Sequence, residues 1–163
     1  MSSIETNAPV LIIGYGNPLR GDDAAGRAAA RRLRRHLSPE NAEVLIVHQL
    51  LPELSDRISR SRLTIFIDAD WAAPVGAICR RDLTAGHDNH PANCHYQSPE
   101  NLLAMAGDIF GHTPQGILFQ IGAADFRFRR GLSDPVRKSL RKLLNLVLRV
   151  IDEAAPVLRH EYV

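Results

Sequence analysis

Five short apolar runs punctuate the chain, and stretches of helical spacing separate them. The runs are "PVLIIGYG", "AEVLIVHQL", "LTIFIDAD", "VGAICRRDL" and "GILFQIGA". A β-rich run of this length, ended by glycine or acids, reads as a buried strand. "LTIFIDAD" is apolar up to its acids, which places it centrally, whereas "VGAICRRDL" alternates in part and belongs towards an edge. Between the strands, Ala and Leu recur at helical spacing from Asp22 to about His36, with Asp22 suited to the N-cap. "LPELSDRISR" reads as a short helix with Pro52 near its start. "SPENLLAMAGDIFG" opens with Ser98 as N-cap and Pro99 at the first helical position, and a long C-terminal helix begins near Ser133. Strands that alternate with helices predict an α/β fold: a three-layer α/β/α sandwich around a mostly parallel five-stranded sheet.

At 163 residues, with neither internal repeats nor a linker, the pattern predicts one domain over residues 1–163. Only Cys79 and Cys94 are present, so no disulfide framework is implied and reduced cytosolic thiols are expected. The net charge of +2 is too small to argue for nucleic acid. The arginines fall mostly in "RAAARRLRRH" and "VRKSLRKLLNLVLR", without interleaved aromatics, as on solvated helix faces. The N-terminal "MSSIETNAPV" has no secretory pattern, and no apolar stretch reaches the ~20 residues that span a bilayer. These features predict a soluble, cytoplasmic protein with neither a nucleic-acid nor a membrane partner.

The first strand leads into "GYGNPLRGDDAAG". A dinucleotide site needs G-x-G-x-x-G and a phosphate loop needs Gly-Lys-Ser/Thr; neither is present. Asp22 and Asp23 at a helix N-terminus favour the helix dipole but repel a phosphate. One cap suffices, so the second carboxylate, Asp23, is left over for other work. In "FIDAD", Asp68 follows the apolar run directly and should sit at the lip of the sheet, with Asp70 on the same face further out. The loop "TAGHDNHPANCHYQ" carries His87, His90, Cys94 and His95. Their spacing matches no structural zinc pattern, and His87 and His90 read as exposed loop residues. His95 precedes a helix, where its side chain can be aimed into a cleft.

Functional sites in such sheets collect at the carboxyl ends of the strands. If these strands are parallel neighbours, Asp23, Asp68 and His95 converge there as a metal-binding set of two carboxylates and one imidazole. That donor set suits nickel, zinc or manganese. The two acids would there be close enough to couple, and desolvation would raise the pKa of one, which leaves general acid–base chemistry open.

Taken in order, "GYGNPLRGDDAAG", "HQLLPEL", "IFIDA", "HYQSPENLLAMA" and "GLSDPV" resemble the hydrogenase maturation proteases, over nearly the whole chain. The resemblance implies a twisted five-stranded sheet of the phosphorylase/hydrolase-like kind. It implies an endopeptidase that removes a C-terminal peptide from the precursor of a nickel–iron hydrogenase large subunit once nickel is in place. It also implies that Asp23, Asp68 and His95 contact the metal, which is supplied by the substrate. Asp23 and Asp68 are then the catalytic candidates. Gly16, Asn17 and Asp22 are the substrate-binding candidates, and a monomer is expected.

The chain departs from the family pattern in places. Ala24 stands where many relatives have glycine, a change a helix tolerates. Arg127, Arg129 and Arg130 in "FRFRRGLS" stand where relatives often carry an acid or glycine. Two rival readings remain open: a nickel-sensing chaperone that holds the precursor without cutting it, and a small-substrate hydrolase on the same scaffold.

Overall fold

The structure, a computed structural model, describes residues 8–87 and 96–159. Its strands are β1 (Val10–Tyr15), β2 (Ala42–Val47), β3 (Leu63–Asp70), β4 (Ile78–Leu83) and β5 (Gln115–Gly122). Its α-helices are α1 (Ala25–His36), α2 (Leu54–Ser59), α3 (Pro99–Phe110) and α4 (Asp134–Arg159). The strands form one sheet in the order β2-β1-β3-β5-β4. The first four in that order run parallel, with Ile12 facing Val44 on one side and Ile65 on the other, and Ile65 facing Ile117.

Strand alternation sends successive side chains to opposite faces, which builds two cores. On one face Ile12, Ile65, Ile67 and Phe119 pack with Leu33 of α1 and Leu140, Leu143 and Val147 of α4. On the other, Leu11, Ile13, Phe66 and Leu118 pack with Ile58 of α2 and with Leu102 and Leu103 of α3. Helices therefore cover both faces, as the alternation of elements predicts. Helix α1 lies close to the sheet because Gly14 and Gly26 lack side chains. A Cβ on Gly26 would stand 2.1 Å from the Ile67 carbonyl oxygen, and one on Gly14 would stand 2.2 Å from that of Gly26.

Ser98 caps α3 as expected, its hydroxyl accepting the Asn101 N–H at 3.1 Å, with Pro99 at the start of the helix. Two expectations are corrected. Asp22 is not an N-cap: residues Gly21–Ala24 form a 3-10 turn, and α1 begins after Ala24 without a side-chain cap. Strand β4 lies at the edge, but it pairs antiparallel with β5, from Ile78 opposite Ile121 to Leu83 opposite Gly116. Its exit is therefore at the amino ends of the parallel strands, not at the carboxyl ends. Beyond β4 the Gly86 N–H meets the Glu100 carbonyl at 3.1 Å. At the carboxyl end, the Gln97 N–H reaches the Leu50 carbonyl at 3.2 Å.

Candidate functional site

The chain leaves β1 towards β2 on one side and returns to β3 on the other, so the strand order reverses between β1 and β3. A crevice opens at the carboxyl ends of strands at such a reversal, and ligands of α/β sheets bind there. The loop after β1 and the end of β3 border this crevice.

The loop after β1 is folded back on itself. Gly16 has a φ of +133°, and an added Cβ would lie 1.9 Å from the Asp23 carbonyl oxygen. Glycine permits that close approach. Asn17 accepts the Leu19 N–H on its side-chain oxygen at 2.9 Å and offers its own N–H to Asp23 Oδ2 at 2.7 Å. Gly16 and Asn17 thus position the Asp23 carboxylate.

Asp68 closes the apolar part of β3 and is partly buried. Burial is the main cause that pushes its pKa up to about 6, and the negative charges of Asp23 and Asp70 add to it. The Ala69 N–H, 2.8 Å from Oδ1, and the Tyr15 hydroxyl hold the charged form and oppose the rise. Burial, followed by the Asp68 charge, lifts the Tyr15 phenol well above its ordinary value, so Tyr15 is a neutral donor here. Asp70 turns outward, and its Oδ1 accepts the Ala72 N–H at 2.8 Å.

Asp22 has a different job. It is fully buried. Oδ1 accepts the Ser133 N–H at 2.7 Å, and Oδ2 accepts the N–H groups of Ala124 and Asp125 at 2.8 and 3.0 Å and the Ser133 hydroxyl at 2.8 Å. Four donors and no exposed surface leave no atom for a substrate, so the expectation of substrate binding gives way to a structural one. Asp22 fastens the loop after β5 and the start of α4 beneath the crevice.

The structure thus brings Asp23 and Asp68 together and removes Asp22 from the surface. His95, with His90 and Cys94, lies outside the described residues. His87 is exposed and stands 3.2 Å from Asp108, near the far end of α3 from Ser98. Among the described residues, no group of three or more His, Cys, Asp or Glu side chains is placed to hold a metal ion. What they offer is a pair of carboxylates, one reluctant to ionise without a cation beside it. Such a donor set fits a divalent metal whose other ligands come from elsewhere. Sequence reasoning missed Tyr15; its signal is an aromatic at the last position of a strand that borders the crevice.

The fold and crevice define an α/β/α sandwich with an acidic centre at the carboxyl ends of its parallel strands. No family model matches the chain, and no curated protein matches it in sequence. Solved structures do share its fold. The [NiFe] hydrogenase maturation protease HycI from Thermococcus kodakarensis KOD1 superposes with a TM-score of 0.71 at 18% identity, over 89% of this chain and 93% of that one. The hydrogenase maturating endopeptidase HybD from E. coli gives 0.72 at 19% identity, with the same coverage. The hydrogenase 2 maturation peptidase from Thaumarchaeota archaeon SCGC_AB-539-E09 gives 0.66 at 21% identity, over 88% and 97%.

Proposed function

We propose that the chain is an endopeptidase that removes a C-terminal peptide from the precursor of a nickel–iron hydrogenase large subunit. The substrate's own nickel is the recognition signal. The observation that carries this reading is the convergence of Asp23 and Asp68 at the strand-order reversal, in a fold shared with hydrogenase maturation endopeptidases. The motif resemblance along the chain supports it independently.

In this reading Asp23 and Asp68 complete the coordination of the nickel that the precursor presents, with His95 as the third donor. The metal fixes the C-terminal segment in the crevice. Water then attacks the scissile carbonyl, the C–N bond breaks, and the water proton passes to the leaving amine. Two routes lead to this result. The nickel polarises the carbonyl oxygen or its bound water, or Asp68 takes the proton from water and delivers it to the amine. Among the described residues, no helix is long and apolar enough to cross a membrane.

The test is the C-terminal mass of the precursor, produced in nickel-replete cells with and without this protein. A discrete loss that is absent without nickel and absent with Asp23→Asn supports the endopeptidase. An unchanged mass in a stable complex overturns it in favour of the holding chaperone.

A further inference from the structure

We propose that the arginine-rich groove beside the acidic crevice is a docking surface for an acidic, partly apolar segment of the protein whose peptide is removed. The identity of that protein rests on the function proposed above; the chemistry of the segment rests on the groove. The cavity, about 710 Å³, lies between the loop after β5 and the first turns of α4, and Phe126, Arg127, Arg129, Leu132 and Arg137 line it. Asp125 binds Arg127 at 2.9 Å and shares Arg129 at 3.3 Å, and Asp134 pairs with Arg137.

Those two acids do not balance the surface. Arg20 donates its Nε to the Phe126 carbonyl at 3.4 Å, and Arg130 is exposed; neither faces an acid among the described residues. Three arginines line the groove against two aspartates, and Arg20, held at the Phe126 carbonyl, adds a further positive charge at its rim. Apolar anchors stand among the charges. Phe126 and Leu132 line the groove, and Leu19 on the adjoining loop is 37% exposed. Two hydrogen bonds at 2.9 Å, Arg129 N–H to the Leu19 carbonyl and Gly21 N–H to the Arg129 carbonyl, tie their loops together. Aromatics interleaved with arginines make up the energetic centres of protein interfaces, and the guanidinium fork matches a carboxylate in two bonds.

The groove is registered to the crevice. Asp22 bonds to Ala124, Asp125 and Ser133 on the groove side, and Asp23 is the next residue. The centre is negative and its neighbour positive. A protein that presents a cation to the centre and acids beside it matches both; a nucleic acid would match the groove alone and be repelled by Asp23, Asp68 and Asp70.

The experiment uses the full chain, ¹⁵N-labelled, and three fluorescein-labelled probes: a short peptide of alternating glutamate and leucine, its lysine counterpart, and a single-stranded oligonucleotide. The acidic peptide is expected to bind, to weaken as salt is raised, and to shift the amides of residues 19–21 and 126–137. Arg137→Glu and Arg20→Glu, both exposed, should each weaken it about fivefold or more at unchanged Tm. The proposal is overturned by equal binding of the lysine peptide, by shifts elsewhere, by tighter oligonucleotide binding at the same arginines, or by wild-type affinity in both variants. Acidic-peptide binding here without precursor cleavage would sink the endopeptidase reading and leave the groove standing. Cleavage by the double variant with unchanged KM would do the reverse.

Discussion

The Tyr15 hydroxyl donates a hydrogen bond to the Asp68 carboxylate across the boundary between β1 and β3. The two strands between which the sheet order reverses are thus joined, at their carboxyl ends, by the site's own side chains. The bond favours the ionised carboxylate, against burial and the charges of Asp23 and Asp70. Tyr15→Phe should therefore move the Asp68 pKa further up from about 6, as a ¹³C-carboxylate titration of the metal-free protein would read. Processing should fall about three- to tenfold at neutral pH and recover as pH rises. An unmoved titration would show that the hydroxyl does not hold the charge.

Asp68 is expected to cost stability. Its pKa of about 6 in the folded chain lies above the ordinary ~3.9 of an unfolded one. Below pH ~4 the group is protonated in both states and contributes nothing. As pH rises through 6 the folded state must ionise it against burial, and stability is lost. Asp68→Asn removes that cost while keeping an oxygen for the Ala69 N–H. Urea unfolding should find the variant about 1–2 kcal/mol more stable at pH 7.5 and equal to wild type near pH 4. Processing should be abolished. A variant less stable than wild type at pH 7.5 would contradict the assigned burial cost.

Asp22 and Asp23 are adjacent and chemically identical, yet they should respond in opposite ways. Asp22→Asn turns an amide nitrogen towards buried N–H donors and leaves at least one unpaired. A loss of about 3 kcal/mol in unfolding free energy is expected, with faster amide exchange at Ala124, Asp125 and Ser133. Asp23→Asn keeps an oxygen for the Asn17 N–H, so it should unfold within about 0.5 kcal/mol of wild type while losing processing.

The contrast between these two residues shows what could be read in advance. The strand "LTIFIDAD" and the Ser98–Pro99 helix start were legible because hydrophobic period and cap chemistry are local. Asp68 was legible for the same reason, as an acid ending an apolar strand. The direction of β4 was not, because an edge strand carries the same alternation whichever way it runs. The role of Asp22 was hidden because its four donors lie more than a hundred residues away along the chain. Tyr15 was hidden for a third reason: an aromatic at the end of a buried strand reads as core, and half of this one is. Its ring packs with the core beneath α2 and α3, and only its hydroxyl reaches Asp68.

Gly16 offers the sharpest separation of local strain from site geometry. Its φ of +133° and that of Gly111, +78°, both disfavour a side chain. A Cβ at Gly111 would meet nothing within 4 Å, whereas one at Gly16 would sit 1.9 Å from the backbone oxygen of Asp23. Gly111→Ala should therefore cost only the backbone penalty, about 1 kcal/mol, and leave processing intact. Gly16→Ala must push the Asp23 turn away and break the Asn17–Asp23 bond. A loss of about 2–4 kcal/mol is expected, with processing reduced about a hundredfold because the carboxylate no longer faces Asp68. Side-by-side urea unfolding and precursor cleavage of the two variants check this. Equal losses of activity in both would mean that helix-end strain, not the placement of Asp23, limits the reaction.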